Sequence, residues 1–304
     1  MNVTLSLSAD DGQDRAGFPV LERFSMLVDD LWFQKFCSLS ANRKQILGDA
    51  LGFWGGIYEI STPPWTHWQT QPGLPENGEL LLVAHYDRQP GTPGANDNSA
   101  SVRHLLDYLA RQSMLLRQGR NPRRVVFTDG EEIFGERLLQ QQGARLLGQL
   151  WKSAGRQPFV IVLDMTGVGD TFVLGHLSES VRQKAGAIDE NTKALRLWVR
   201  RLLSATGAGD FVEIDTPFSD DLGFLWSGIP AVQVSLLPKK QAMAYRKQYM
   251  KCGSQDLASR LPLPAAWQTM HTLQDVPESL WPESRPLMAQ FLELASTIPF
   301  LLRS

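Results

Sequence analysis

Three short apolar runs, each followed at once by ionisable side chains, constrain this chain more than any other feature. The runs cover residues 80–84, 124–128 and 159–163, and they have the length and apolar continuity of buried β-strands. Segments with helical spacing of apolar residues separate them, which favours an α/β fold with a mainly parallel, mixed sheet covered by helices on both faces. Ligands of such sheets bind at the carboxyl ends of the strands. We therefore expect the side chains that follow the three runs to form a site.

The rest of the chain continues this alternation. The pattern predicts helices over residues 21–36, 43–53, 99–112, 136–151, 190–206 and 285–302, and further strands over residues 57–60, 171–174, 211–214 and 231–234. Residues 61–77 are rich in proline and are predicted as a loop, in which the aromatic run 65–68 serves packing. We expect one domain over residues 1–304. Residues 1–20 would be a loose N-terminal arm, and the weakly patterned residues 238–268 an insertion or lid.

The composition excludes several classes of partner. Acidic and basic residues nearly balance, at 32 against 30, so we expect no nucleic-acid surface and no polybasic membrane patch. No stretch approaches the ~18 apolar residues of a membrane span. Residues 1–17 lack the basic flank and apolar core of a signal peptide, which favours the cytoplasm. The two cysteines, Cys37 and Cys252, lack metal-type spacing and are expected to be buried free thiols.

The side chains after the three runs include donors that bind transition metals, and a late histidine adds another. These donors are His85, Asp97, Glu132, Asp164 and His271. Two histidines and three carboxylates carry too much negative charge to gather in a pocket without cations. They suit two zinc ions about 3.5–4 Å apart with one bridging carboxylate. Asp97, close in sequence to His85, is the natural bridge.

Two further carboxylates have positions that suit supporting roles. Asp87 lies two residues after His85, on the same side of an extended strand, where it can fix the tautomer of the imidazole. In the pair Glu131 and Glu132 the side chains diverge, so one can bind metal while its neighbour remains free as a general base. A single such residue is more often a cap or turn residue than part of a site, so the hypothesis depends on the whole set.

Together these motifs resemble peptidase family M28, the zinc aminopeptidases. The resemblance covers about residues 80–276 and follows the order His-x-Asp, Gly-Ala-x-Asp-Asn, Glu-Glu, Asp and His-Thr-x-x-Asp. It implies a zinc-exopeptidase-like (phosphorylase/hydrolase-like) α/β sandwich around a mixed sheet. It also implies that His85 and Asp164 bind one zinc, that Glu132 and His271 bind the other, and that Asp97 bridges the two.

The resemblance implies a reaction as well. Such an enzyme removes N-terminal residues from peptides with a free N-terminus, through a water activated by two zinc ions. Glu131 would be the base of this reaction, and Asp87 the carboxylate that orients a ligand. Ser219, Asp220 and Phe224 fall within a further family signature and would bind the substrate.

The chain departs from the family pattern at three places, and two other functions stay open. Asp221 stands where histidine is common, residues 133–136 replace Gly-Leu-x-Gly-Ser, and Met270 precedes the late histidine in place of an aromatic residue. The ligands and the base are intact, but the substrate class is left open. One alternative is a glutaminyl-cyclase-like aminoacyltransferase with a single zinc, which resembles this chain at residues 129–132. The other is a non-catalytic binding protein on the same fold, against which the complete ligand set argues.

Overall fold

One sheet of eight strands forms the frame of the part of the chain that the structure describes. The computed structural model describes residues 28–52, 57–117, 123–133, 138–176, 190–208, 210–252 and 261–300. The strands are β1 (Tyr58–Thr62), β2 (Trp65–Gln69), β3 (Leu80–His85), β4 (Arg124–Thr128), β5 (Phe159–Leu163), β6 (Thr171–Gly175), β7 (Phe211–Ile214) and β8 (Ala231–Leu237).

Helices connect most of these strands. They are α1 (Asp30–Cys37), α2 (Arg43–Gly52), α3 (Ala100–Arg117), α4 (Gly143–Ser153), α5 (Glu190–Ala205), α6 (Asp220–Trp226), α7 (Lys239–Lys251), α8 (Ala265–Gln268) and α9 (Ser284–Thr297). Shorter helical turns cover Ala95–Ser99, Leu138–Gln141 and Pro277–Ser279. No helix among the described residues has both the length and the apolar character needed to cross a membrane.

The sheet is mixed, with its parallel part at the centre. The strand order is β1-β2-β4-β3-β5-β8-β6-β7. Strands β4, β3, β5 and β8 pair in parallel, and so do β6 and β7. The β1–β2, β2–β4 and β6–β8 pairs are antiparallel. The predicted α/β fold class is confirmed, and the parallel centre brings three strand ends to one edge.

Strand β3 shows how the sequence fills both faces of the sheet. Successive side chains of a strand point to opposite sides. Leu80 and Leu82 therefore pack in a core with α3, α5 and α9, while Leu81 and Val83 pack in a second core with α4 and α6. Each such side chain contributes about 1.5–3 kcal/mol on full burial. Because both faces are covered, every position of this strand is apolar until His85.

One predicted loop is a strand. Residues 65–68 belong to β2, which forms a hairpin with β1 and also pairs with β4 through Trp68 and Phe127. Within β2, His67 and Gln69 are buried while the alternate side chains are half-buried. This alternation of burial is only a few residues long, and it follows two prolines, Pro63 and Pro64. The prolines are typical of a turn, and for this reason the sequence pattern predicted a loop.

The segment 238–268 contains more helix than its weak pattern indicated. Helix α7 fills its first half, and Ala242 and Tyr245 are its buried residues. Two buried positions make too narrow an apolar stripe for a periodicity to be visible. Residues 253–260, like the predicted arm 1–20, lie outside the described residues. The lid function of this segment stays a prediction.

Some helix boundaries and the burial of one cysteine also differ from the prediction. Helix α4 starts at Gly143, later than predicted, and the short helix α6 was not predicted. Helix α1 begins at Asp30, and the earlier part of the helix predicted over residues 21–36 falls outside the described residues. Both cysteines are free, as predicted, but only Cys37 is buried and Cys252 is half-buried.

Candidate metal centre

The carboxyl edge of the parallel strands carries three of the predicted ligands. Strands β4, β3 and β5 are neighbours in the sheet, so the residues that follow them meet at this edge. His85 is the last residue of β3, Asp164 follows β5 directly, and Glu132 lies in the turn after β4. Asp97 comes from the helical turn Ala95–Ser99, and His271 comes from the loop after α8.

A first group of donor atoms gathers around His85. Its Nε2 lies 3.3 Å from Oδ1 of Asp97 and 3.6 Å from Oδ1 of Asp164. All three side chains are buried. One nitrogen and two carboxylate oxygens within this range form a set that can hold a metal ion.

A second group gathers around His271. Its Nε2 lies 3.0 Å from Oε2 of Glu132 and 3.3 Å from Oδ2 of Asp97. Asp97 thus belongs to both groups and faces each with a different oxygen. The His271 side chain is 36% exposed, whereas those of Asp97 and Glu132 are 6% and 3% exposed. The centre is therefore open to solvent on the His271 side.

Several buried donor atoms of the centre make no hydrogen bond within the part of the chain that the structure describes. They are both ring nitrogens of His85, Oδ1 of Asp164, Oε1 of Glu132 and Oδ1 of Asp87. Buried polar atoms are rarely left unsatisfied, since each costs about 1–3 kcal/mol. Imidazole nitrogen and carboxylate oxygen are ligands that zinc accepts. The donor set therefore fits bound metal, and Asp97 belongs to both groups of donors.

The electrostatics of the centre reflect crowded carboxylates. Hydrogen bonds to Asp97 and Glu132 raise the pKa of His271 to about 10. Burial, followed by the charge of Asp97, raises the pKa of Glu132 to about 7, although its hydrogen bond to His271 acts in the opposite direction. Burial together with Glu132 and Asp164 raises the pKa of Glu131 well above its ordinary value. The potential here is strongly negative, which favours cations.

The backbone at the centre is unusual in two places. Met165 and His271 have φ values of 50° and 60°, and they are the non-glycine residues with positive φ in the described chain. This left-handed region costs a side-chain-bearing residue about 1–3 kcal/mol, and residues held in it cluster at functional sites. Met165 follows Asp164 directly, so both residues with this conformation are at the candidate ligands.

Polar residues that the motif analysis left without a role fix the ligands. Asp275 accepts hydrogen bonds from the backbone N–H groups of Asn96 (2.7 Å) and Asp97 (3.0 Å). Gln233 donates through Nε2 to Oδ2 of Asp164 at 3.3 Å. The position of Asp275 in the late motif was visible in the sequence. Gln233 carried no signal, because an amide in a buried strand matches no motif.

The predicted catalytic carboxylates also lie at this centre. Oδ1 of Asp87 is 3.4 Å from Nδ1 of His85, and its Oδ2 accepts the N–H of Glu132 at 2.9 Å. The Glu131 side chain is buried, with an oxygen within 4.8 Å of donor atoms of His85 and Glu132. Asp87 therefore connects the strand that carries His85 with the turn that carries Glu132.

The predicted substrate-binding residues have two kinds of surroundings. Asp220 is buried at the start of α6, where Thr128 donates a hydrogen bond to its Oδ2, and burial raises its pKa to about 7. Oδ1 of Asp220 and Oγ of Ser219 are buried and make no hydrogen bond to any residue that the structure describes. Phe224 instead packs in the core, fully buried and stacked on Trp151 with ring centroids 5.3 Å apart. This position of α6 faces α4, and a substrate contact for Phe224 stays a prediction.

The turn that carries Glu131 and Glu132 depends on a glycine. Gly130 has φ +78°, and an added Cβ would overlap the indole of Trp65. Trp65 in turn donates through Nε1 to the carbonyl of Gln141 at 2.5 Å. The aromatic run of residues 65–68 thus supports the turn from behind, in agreement with its predicted packing role.

The model of Peptidase family M28 matches residues 67–283 of the chain. Solved structures with the same fold include a Zn-dependent exopeptidase from Parabacteroides distasonis, at 15% identity and TM-score 0.58, over 92% of this chain and 97% of that one. The LapA aminopeptidase of Legionella pneumophila matches at 16% identity and TM-score 0.55, over 94% and 79%. A glutaminyl cyclase from Fimbriiglobus ruber matches at 16% identity and TM-score 0.53, over 93% and 95%. No curated protein matches the chain in sequence. At these identities the structural likeness shows the fold alone.

Proposed function

Because this chain belongs to peptidase family M28, we propose that it is an aminopeptidase that holds two zinc ions and removes N-terminal residues from peptides. The position of Asp97 is the observation that carries this proposal. Its Oδ1 faces the group with His85, and its Oδ2 faces the group with His271. A carboxylate that divides its oxygens between two donor groups suits a pair of ions better than a single one.

The ligands divide between the two ions according to these distances. His85 and Asp164 would hold one ion, Glu132 and His271 would hold the other, and Asp97 would contact both. When bound, zinc acts as a Lewis acid that polarises a carbonyl and lowers the pKa of water. Asp87 orients His85 through its contact with Nδ1 at 3.4 Å. Gln233 orients Asp164 through its hydrogen bond at 3.3 Å.

Glu131 has the properties of the general base. It takes the proton from the water that attacks the scissile carbonyl, and it returns that proton to the leaving amine. Its buried position next to His85 and Glu132 puts it within reach of a substrate held at the centre.

The preference for a free N-terminus follows from the charge of the pocket. A peptide α-amino group is a cation near neutral pH, and the centre concentrates carboxylates. Asp220 and Ser219 each have a buried oxygen with no hydrogen-bond partner among the described residues, so they can accept from this amino group or from the neighbouring backbone. We assign substrate binding to these two residues.

The same observations support the two alternative functions less well. A cyclase-like transferase with one zinc could use the complete group of Asp97, Glu132 and His271. It would leave Nε2 of His85 and Oδ1 of Asp164, which make no hydrogen bond to another described residue, buried without a metal. A non-catalytic binding protein would have no use for a buried Glu131 beside intact ligands.

The experiment compares wild type with Glu131→Gln on a panel of aminoacyl 4-nitroanilides, with zinc content measured in parallel. The variant should bind as much zinc as wild type, and its kcat should fall by about 10²–10⁴. Peptides with an acetylated N-terminus should not be cleaved by either protein. Turnover near the wild-type level in the variant would contradict the role of Glu131. Release of ammonia from N-terminal glutaminyl peptides without chain cleavage would favour the cyclase-like reaction.

A further inference from the structure

The segment between His85 and Asp97 has to place two metal ligands from one irregular stretch of chain. His85 belongs to β3, but residues 86–94 form no strand or helix. Loops have many accessible conformations, and fixing each residue costs about 1–2 kcal/mol of conformational entropy. The position of Asp97 relative to His85 therefore depends on whatever fixes this loop.

Arg43 contacts both ends of this loop. Its Nη1 donates to the carbonyls of Tyr86 (3.2 Å) and Asp87 (3.1 Å), directly after His85. Its Nη2 donates to the carbonyls of Pro93 (2.7 Å) and Gly94 (3.1 Å), shortly before Asp97. A single planar group thus sets the separation between the beginning and the end of the loop.

Further contacts fix the guanidinium itself. Nη2 also donates to Oγ of Ser99 at 2.6 Å, and Nε donates to the carbonyl of Phe36 at 3.2 Å. The Phe36 ring lies against the guanidinium, 4.7 Å from its central carbon to the ring centroid. Arg43 is buried, and among the described residues it forms no ion pair with a carboxylate. Its charge is met by oriented backbone carbonyls, which only a fork of several N–H donors can engage together.

Gly94 shows how closely the loop is wrapped around this group. Its φ is +59°, and an added Cβ would lie 3.1 Å from Nη2 of Arg43 and 2.5 Å from the carbonyl oxygen of Asp97. Arg88, which belongs to the loop, binds the segment after α1: its Nη2 donates to the carbonyls of Ser38 (2.7 Å) and Leu39 (2.9 Å). The loop and the α1–α2 region are therefore fastened to each other from both sides.

We propose that Arg43 is a positioning residue of the metal centre, which holds the loop in the conformation that brings Asp97 between the two histidines. Helix α2, which carries it, precedes the region matched by the family model, residues 67–283. This inference rests on the proposed metal centre. Since Asp97 serves both donor groups, its displacement weakens both metal positions.

Arg124 provides a matched control. It is also a buried arginine that binds a loop, donating to the carbonyls of Gln71 (3.1 Å) and Gly73 (3.0 Å) and to Glu79. It stands at the first residue of β4, at the opposite edge of the sheet from the metal centre. Its loss removes a similar set of hydrogen bonds without touching the loop of residues 86–94.

The experiment measures zinc dissociation constants of wild type, Arg43→Gln and Arg124→Gln by competition with a chromophoric chelator, together with urea unfolding of each protein. Arg43→Gln should bind zinc about 10- to 100-fold more weakly, the range typical of residues that orient metal ligands. Arg124→Gln should lose stability but keep the wild-type zinc affinity. Unchanged affinity in Arg43→Gln, or an equal loss in Arg124→Gln, would overturn the positioning role.

A second variant covers the case in which Arg43→Gln does not fold. Arg43→Lys keeps the charge but offers three donors where arginine satisfies six acceptors, so its zinc affinity should also fall below that of wild type. Wild-type affinity in Arg43→Lys would overturn the inference. A wild-type chain that binds no zinc at all would overturn the metal centre itself, which distinguishes the two failures.

Discussion

The buried histidine His104 gives a stability prediction that follows from its surroundings. It lies on α3, and its Nε2–H donates to the carbonyl of Thr166 at 3.2 Å. Burial lowers the pKa of His104 to about 4, although the charge of Asp107 acts in the opposite direction. The folded protein therefore keeps this imidazole neutral at a pH at which the unfolded chain protonates it, below about 6.5.

The size of the effect follows from the two pKa values of His104. Because the folded pKa lies below the unfolded one, the contribution to stability is complete above pH 6.5 and is lost as the pH falls towards 4. Each pKa unit corresponds to about 1.4 kcal/mol. Between pH 8 and pH 4.5 the protein should therefore lose about 2.5 kcal/mol of unfolding free energy through this residue alone.

The assay compares wild type with His104→Gln, which keeps an N–H donor for Thr166 but does not titrate. Both proteins are unfolded with urea at pH 8 and pH 4.5 after removal of metal, because metal binding itself depends on pH. The difference in unfolding free energy between the two proteins should shift by about 2.5 kcal/mol in favour of the variant at pH 4.5. The same difference at both pH values would refute the reasoning.

Three further predictions concern the metal centre. Gly94→Ala should destabilise the fold by about 3 kcal/mol or more and weaken zinc binding, because its Cβ would meet the Asp97 carbonyl oxygen at 2.5 Å. In the matched variant Gly91→Ala the φ is also positive, but the added Cβ has no described atom within 4 Å, so urea unfolding should show a cost of only about 1 kcal/mol. Asp275→Asn should cost about 1–3 kcal/mol by the same measurement, since one of the N–H groups of Asn96 and Asp97 loses its acceptor; an unchanged midpoint would contradict this. With free zinc at 100 times the Kd of each site, removing the metal with a chelator should lower the unfolding free energy by about 2.7 kcal/mol for each ion bound, and a midpoint that does not move would contradict binding to the folded state.

The sequence predicts the centre of the sheet well because burial on both faces leaves a simple signal. Strands β3, β4 and β5 must be apolar at nearly every position, so their ends are visible, and His85 and Asp164 stand at those ends. The strands at the edge of the sheet are harder to predict from the sequence. Strand β2 is recognisable only from its pairing with β1 and β4, which no local pattern reports.

The residues that support the site are harder still to predict. Arg43 acts on backbone carbonyls, and every residue has a carbonyl, so no sequence pattern marks its partners. Gln233 contacts Asp164 across neighbouring strands, and this contact depends on β8 lying beside β5. Phe224 is the reverse case: a motif marks its position, but only the fold shows that its ring stacks on Trp151.

Zinc content per chain tests the central claim most directly. The purified chain is equilibrated with zinc, freed of the excess, and measured by mass spectrometry for metal and by amino-acid analysis for protein. The proposed centre predicts two ions per chain, because Asp97 presents one oxygen to the group of His85 and the other to the group of His271. A single ion would contradict the bridged pair, and a chain without zinc would show that these ligands do not assemble a metal site.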